Sequence, residues 1–339
     1  MRALVITEYG PPEVLRVQER PDPEPGPGQV RVRVRAAGIN FADLLARVGL
    51  YSAAPSPPCV VGYEIAGEVD ALGPGAEGFE VGQRVMGGCR FGGYAELAVA
   101  GTGELLPLPE GWSFAEGAAA PVSYATAYAG LVRYGGLRAG ERVLIQAAAG
   151  SVGIAATQIA KLVGAEVFGT ASPPKHDAIR GFGVDHPVDY RTHDVADEVR
   201  RMTGEQEPLD VAFDAIGGRS FKTSFSLLRP GGRLVMFGAS EIQAGERRSR
   251  ARALRVLAQM PRFHPVKLMS QSKSVIGLNL LELWDAKQSL DEYMGPLAEW
   301  TQSGAIRPVI AARFPLAEGP DAHRYVHARE NIGKVVLEP

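Results

Sequence analysis

Residues 141–171, "ERVLIQAAAGSVGIAATQIAKLVGAEVFGTA", decide the fold. "RVLIQ" reads as a buried strand running into a glycine-bearing turn. The turn has the form Ala148-x-Gly150-x-x-Gly153, a G-x-G-x-x-G fingerprint with Ala in its first slot. Val152, Ala156, Ile159 and Val163 then recur at helical spacing, so a helix follows. Gly164 is placed to cap that helix, and a second strand begins at Ala165. A side chain at 150 would hold the backbone away from a pyrophosphate, and one at 153 would push the helix off the strand. The helix N-terminus offers free N–H groups and the positive end of its dipole to an anion. The competing reading is a close-packed turn with no ligand, and the strand–turn–helix–strand context weighs against it.

The end of the second strand separates the two nicotinamide cofactors. An NAD site wants Asp or Glu there, about 20 residues past the fingerprint, for the ribose 2′-hydroxyl. This chain has Thr170, Ala171 and Ser172, then Lys175 and His176. A hydroxyl and a cation without a carboxylate suit a 2′-phosphate. The expected cofactor is therefore NADPH, with Lys175 at the phosphate; the competing reading of Lys175 is a solvated surface lysine.

Working outward, strands "RVLIQ", "EVFGTA", "HPVDY", "DVAFDA", "RLVMFG" and "SVIGLNL" alternate with helical stretches, which predicts a parallel sheet covered by helices. Upstream the texture is β: "RALVI", "VRVRVRAAGI", "EIAGEVDAL" and "RVMGG" are short runs punctuated by Pro and Gly. "PDPEPGPG" at 21–28 reads as a stiff loop within this part. After about residue 282 the pattern is helical, then returns to shorter pieces. The expected class is α/β, with a β domain over 1–122, a doubly wound nucleotide-binding domain over 123–282, and a return of 283–339 to the first domain.

Composition narrows the function. With 339 residues, 45% hydrophobic, 22% charged and a net charge of −2, the chain lacks the basic field of a general nucleic-acid binder. Cys59 and Cys89 are the only cysteines, which fits a reducing compartment and excludes a disulfide framework. "MRALVITEYGPPEVL" lacks the apolar core of a signal peptide, and no run of about 20 apolar residues exists to span a membrane. A cytoplasmic enzyme is expected.

With these motifs in hand, the chain resembles the medium-chain dehydrogenase/reductase superfamily along nearly its whole length. "AAGINFADLLARVGLY" (36–51), "GYEIAGEV" (62–69), "GYAELAVA" (93–100), "AAAGSVG" (147–153) and "NIGKVVLEP" (331–339) are similar to its zinc-free quinone oxidoreductase, or zeta-crystallin-like, branch. The insertion at 240–270 is similar to that of the vesicle amine transport protein subgroup. The resemblance implies a GroES-like β domain built from both chain ends around a Rossmann domain, with the cofactor in the cleft between them. It also implies a homodimer joined through "SVIGLNL". Carried over by position, Asn40 and Thr126 face the nicotinamide; Gly150, Ser151, Val152 and Gly153 hold the pyrophosphate. Ser172, Lys175 and Tyr190 take the 2′-phosphate and adenosine. Ile216, Gly238, Ala239, Ser240, Leu278 and Asn331 line the ribose and carboxamide. Ser151 departs from the branch, which often has glycine there; its hydroxyl can serve the phosphate.

In zinc-using relatives a cysteine and the histidine of "GHE" bind metal; here the matching positions read Ile39-Asn40 and Tyr63. A catalytic zinc needs three protein ligands, and no such set is readable, so no metal is expected. His323 and His327 share a helix face at metal-binding spacing, but the stretch reads as a solvated amphipathic helix. Without a metal to polarise an alkoxide, the expected substrates are quinones and α,β-unsaturated carbonyls (enones, alkenals or enoyl thioesters), whose carbonyl oxygen takes up the charge. Tyr63 and Tyr51 are candidate proton donors, or merely pocket walls; Asn40 orients the carboxamide or bonds the substrate oxygen. Asp43 and Glu64 are expected to serve structure, by loop hydrogen bonds or a pair with Arg47. Residues 246–267 read as a basic amphipathic helix, which leaves three readings open: a solvated helix packed by its apolar stripe, a cover over the substrate, or a contact with an anionic surface. The rival to the enzyme is an NADPH-binding protein with a structural or membrane-associated role.

Overall fold

The structure, a computed structural model, describes all residues except Ala244, Arg247, Arg248 and Gln288. The chain forms two compact units. Met1–Ser123, Gly245–Arg248 and Glu282–Pro339 make the first; Tyr124–Ala244 and Ser249–Leu281 make the second.

The first unit begins with β1 (Arg2–Ile6), β2 (Leu15–Glu19), β3 (Gln29–Gly38) and β4 (Cys59–Val60), followed by β5 (Glu64–Leu72), β6 (Arg84–Gly88), β7 (Leu97–Gly101) and β8 (Leu105–Pro107). β1 pairs antiparallel with both β2 and β4. β3 pairs antiparallel with β5 and with β7. The alternation in "QVRVRVRAAG" makes this register: Val30, Val32 and Val34 are buried, while Arg31, Arg33 and Arg35 point outward. Those arginines meet carboxylates of β5. Arg31 donates to Asp70 at 2.7 Å, Arg35 donates to Glu68 at 2.8 Å, and Arg33 also reaches Asp70. Such cross-strand pairs are each worth about 0.2–1 kcal/mol.

The second unit is the Rossmann-like layer. Its strands are β9 (Arg142–Ile145), β10 (Glu166–Ala171), β11 (His186–Asp189), β12 (Leu209–Asp214), β13 (Leu228–Met236) and β14 (Ser274–Gly277). They lie in the order β11-β10-β9-β12-β13-β14, every pair parallel. β12 is buried along its whole length, as a strand covered on both faces must be. The helix Ser151–Val163 follows β9 and ends at Gly164, whose φ of 89° is the left-handed cap that glycine adopts without strain. β14 is one of the two edge strands and is only half-buried.

The chain then returns to the first unit. β15 (Ile310–Pro315) runs parallel to β16 (Lys334–Glu338), and β16 pairs antiparallel with β3, giving the sheet order β15-β16-β3-β5-β6-β8.

Two expectations from sequence need correction. The stretch 246–267 is not one helix. Helices Arg250–Gln259 and Pro265–Gln271 are separated at Met260–His264, because Pro261 holds Met260 in an extended conformation. Arg247 and Arg248 of that stretch lie outside the described residues. The second correction concerns the helix Gly319–Ala328, which is not solvated all round: His323 is fully buried, edge-on to the Tyr94 ring at 6.1 Å.

Candidate functional site

In the second unit the fingerprint turn joins β9 to the helix Ser151–Val163. A Cβ at Gly153 would come within 2.4 Å of the Ala147 carbonyl oxygen and 2.7 Å of Ala148 Cα, so only glycine lets the helix lie this close to β9. Gly150 differs. Its φ is −77°, and a Cβ there would meet nothing nearer than 3.4 Å. Packing within the chain therefore does not require glycine at 150. Gly150 caps the helix without a side-chain hydrogen bond, which leaves the first-turn N–H groups of Ser151, Val152 and Gly153 for an anion.

The other sequence-predicted residues of this unit gather at the carboxyl ends of the strands. Ser172 follows β10, Tyr190 follows β11, Ile216 follows β12, Gly238, Ala239 and Ser240 follow β13, and Leu278 follows β14. That edge is where open parallel sheets take their ligands. Ser172 is buried, Lys175 half-buried and Tyr190 exposed. Thr170 turns inward instead: its hydroxyl donates to Gln146 at 2.8 Å and accepts from Ala147 N at 3.0 Å, so it holds the turn. Thr126 is buried on the helix Pro121–Tyr128, away from those strand ends in sequence.

In the first unit, Asn40, Tyr63 and Tyr51 belong to one polar region. Gly62, at φ 85°, lets the chain turn tightly under the Tyr94 ring, which a Cβ would meet at 2.3 Å. That turn sets Tyr63 edge-on to Phe91 at 6.2 Å. Burial, and next the charge of Asp43, pushes the Tyr63 phenol well above 10. The same two causes push Tyr51 up to about 12. Both phenols therefore stay protonated at neutral pH and are hydrogen-bond donors.

Asp43 does not pair with Arg47. It is fully buried and accepts from Asn40 N at 2.8 Å, Tyr94 Oη at 2.9 Å and Gly62 N at 3.2 Å. Burial outweighs those bonds and pushes its carboxyl up to about 6. Arg47 instead donates to Gly10 O at 2.7 Å and lies against His327 at 2.9 Å. Glu64 forms a buried ion pair with Lys334 and accepts from Val122 N at 3.0 Å. Asn40 joins them, donating to Glu64 and accepting from Lys334, each at 2.7 Å. Asn331 donates to Gly333 O at 2.8 Å, which shapes the approach to β16.

Sequence reasoning missed Lys334 and Tyr94. The available signal for Lys334 was a lone cation opening the apolar run "KVVLEP", where burial demands a partner. Among the described residues no group of three His, Cys, Asp or Glu side chains is placed to hold a metal. At the Ile39-Asn40 and Tyr63 positions compared with zinc ligands above, the Asn40 amide is engaged with Lys334 and Glu64, and Tyr63 stands edge-on to Phe91.

Residues 26–110 match the alcohol dehydrogenase GroES-like domain, and 182–337 match the family described as zinc-binding dehydrogenase. The chain is 39% identical over 338 residues to a synaptic vesicle membrane protein VAT-1 homolog of Danio rerio, covering 99% of this chain and 69% of that one. Escherichia coli quinone oxidoreductase, solved in complex with NADPH, superposes with a TM-score of 0.87 at 27% identity over the whole of both chains. The CurK enoyl reductase does so at 0.85 and 28% identity, covering 99% of this chain and 98% of that one.

Proposed function

The chain belongs to the medium-chain dehydrogenase/reductase superfamily, and on that premise we propose that this oxidoreductase is a zinc-independent, NADPH-dependent reductase of quinones or α,β-unsaturated carbonyls. The observation that carries the reading is the turn after β9, where Gly153 is closed by the chain itself while Gly150 leaves open space ahead of the first-turn N–H groups of the helix Ser151–Val163. NADPH over NADH is supported by Ser172 and Lys175 at the end of β10, where no carboxylate stands. The reductive direction is supported by the quinone oxidoreductase and enoyl reductase among its structural relatives.

When bound, the nicotinamide would supply a hydride, one proton carrying two electrons, to the electron-poor double bond or quinone, and one further proton completes the reduction. The residues of this chain do the rest. The first-turn N–H groups after Gly150 hold the pyrophosphate, with Ser172, Lys175 and Tyr190 on the adenosine end. Ile216, Gly238, Ala239, Ser240, Leu278 and Asn331 line the ribose and carboxamide, and Thr126 and Asn40 serve the nicotinamide end. Tyr63 or Tyr51 donates to the carbonyl oxygen as charge gathers there. The half-buried edge of β14 supports pairing of two copies into a homodimer.

The test is cofactor oxidation with a panel of quinones, alkenals and enoyl thioesters, run with NADPH and with NADH. Turnover with at least one acceptor and a preference for NADPH is expected. Measurable NADPH binding with no turnover on any of them would sink the reductase reading.

One observation favours a second role beside it. Leu254, Leu257, Val266 and Met269 are 53–70% exposed and sit among Arg250, Arg252, Arg255, Arg262 and Lys267, with no acidic residue between 249 and 271. Among the described residues no helix is long and apolar enough to cross a membrane. Exposed apolar residues interleaved with basic ones suit contact with an anionic bilayer surface. Cosedimentation with phosphatidylserine vesicles, lost in Leu254→Ser/Leu257→Ser, is the expected result; equal pelleting of that variant would exclude this contact.

A further inference from the structure

We propose that Lys334 and Glu64 are positioning residues, which lock the Asn40 amide as a hydrogen-bond donor for the oxygen that gains charge on reduction. The inference rests on the reductase reading above and names how its metal-free site is held in shape.

Three side chains form a closed triad inside the first unit. The side chains of Lys334 and Glu64 are 1% and 0% exposed, and they pair directly. Asn40 accepts from Lys334 Nζ through Oδ1 and donates to Glu64 Oε1 through Nδ2, both at 2.7 Å. An ammonium has no lone pair to offer and a carboxylate has no hydrogen, so each partner alone dictates the same orientation of the amide. The reversed amide would face oxygen to carboxylate and hydrogen to ammonium. With one Nδ2 hydrogen committed to Glu64 and Oδ1 committed to Lys334, the second Nδ2 hydrogen is what Asn40 has to give. Asn40 is therefore a donor at this site rather than an acceptor. It is also the least buried member of the triad, at 8% exposure against 1% for Lys334 and 0% for Glu64.

The surroundings are shaped to hold this arrangement. Glu64 cannot rotate freely, because Oε2 accepts from Val122 N at 3.0 Å. Asn40 cannot slide, because its own N–H is bonded to Asp43 at 2.8 Å. Gly38 makes room for the pair: a Cβ there would come within 2.5 Å of Glu64 Oε1, 2.7 Å of Lys334 Cε and 2.3 Å of the Ala118 carbonyl oxygen. Nor is the amide needed as a helix cap, since Asp43 N bonds to the Asn40 backbone carbonyl. A buried ion pair is poor stabilisation when an apolar pair would serve as well, so its retention around a single amide asks for another reason. A donor held in fixed orientation, aimed at charge that forms only during the reaction, is such a reason.

The test compares the wild type with Glu64→Gln/Lys334→Met, which removes both buried charges together, with Asn40→Ala, and with the triple variant. Melting temperature, NADPH affinity by fluorescence, and kcat and KM with an acceptor from the active panel are measured. Asn40→Ala should lose about 10²-fold in kcat, the scale of one oxyanion donor. The charge-free double variant should melt near the wild type and bind NADPH within about twofold, yet lose about tenfold or more in kcat through misplacement of the amide. The triple variant should be no slower than Asn40→Ala, because the pair acts through that residue. Wild-type kcat in the double variant, or losses that multiply in the triple, would overturn the positioning role while leaving the reductase reading intact. A wild type inactive with the whole panel overturns both.

Discussion

Burial makes Tyr63 a poorer acid and a more dependable donor. Its phenol is pushed well above 10, so it keeps its proton across the neutral range. Turnover limited by this group should therefore be flat between about pH 6 and pH 9, and Tyr63→Phe should lower kcat by about 10²-fold at every pH in that range. An unchanged kcat in steady-state assays would remove Tyr63 as the donor. His323 carries the opposite lesson. Burial, and then Arg47 and His327, push its imidazole well below 6.5. The unfolded chain takes up a proton near pH 6.5 that the folded chain refuses, so this residue contributes stability above that pH and loses it as the pH falls. Each pH unit lost below 6.5 should cost up to about 1.4 kcal/mol, until the folded state also protonates. Urea melts at pH 7 and pH 5 should show a steeper loss in the wild type than in His323→Phe. Tyr63 and Asn40 were legible because a local motif places them. Lys334 was not, because 294 positions separate it from Asn40 and only the pairing of β16 with β3 joins them.

At the scale of elements, the two fingerprint glycines differ in packing, Gly153 being crowded by backbone and Gly150 open. Gly153→Ala drives a methyl into the Ala147 and Ala148 backbone, so a loss of about 1–3 kcal/mol and a lower melting temperature are expected. Gly150→Ala meets open space, and its cost to folding should stay at about 1 kcal/mol or less, the worth of a glycine cap. The same substitution should weaken NADPH at least about tenfold, since one blocked phosphate contact of that kind is worth a charge-assisted hydrogen bond. Titration calorimetry beside thermal melts reads both effects. The strand–turn–helix unit was readable because its periodicity changes from strand to helix within a few residues. The insertion was readable in its charge but not in its shape. The signal that breaks it, Met260 before Pro261, was in plain view, and helical spacing of apolar residues on either side masked it.

At the scale of the whole molecule, the class of each layer followed from texture, while the sheet order of the first unit did not. Nothing local in "KVVLEP" says that it lies between β15 and β3. Deleting residues 334–339 would strip that strand out and leave Glu64 buried without its cation, a defect worth about 3–5 kcal/mol. The expected outcome under limited proteolysis is rapid loss of 1–123, with a resistant fragment spanning about 124–281. Uniform resistance of the truncated chain would show that β16 is dispensable.

The placement of β16 also has a consequence for biosynthesis. The strands of the second unit leave the ribosome before Lys334 is made, so that unit can close its sheet during translation. The first unit cannot. The Ala37–Gly38 end of β3, beyond its pairing with β7, waits for β16, and Glu64 waits for a counter-ion, through the synthesis of more than two hundred intervening residues. A nascent chain stalled before residue 334 should therefore be held by chaperones at the first unit, and the emergence of β16 is what releases it.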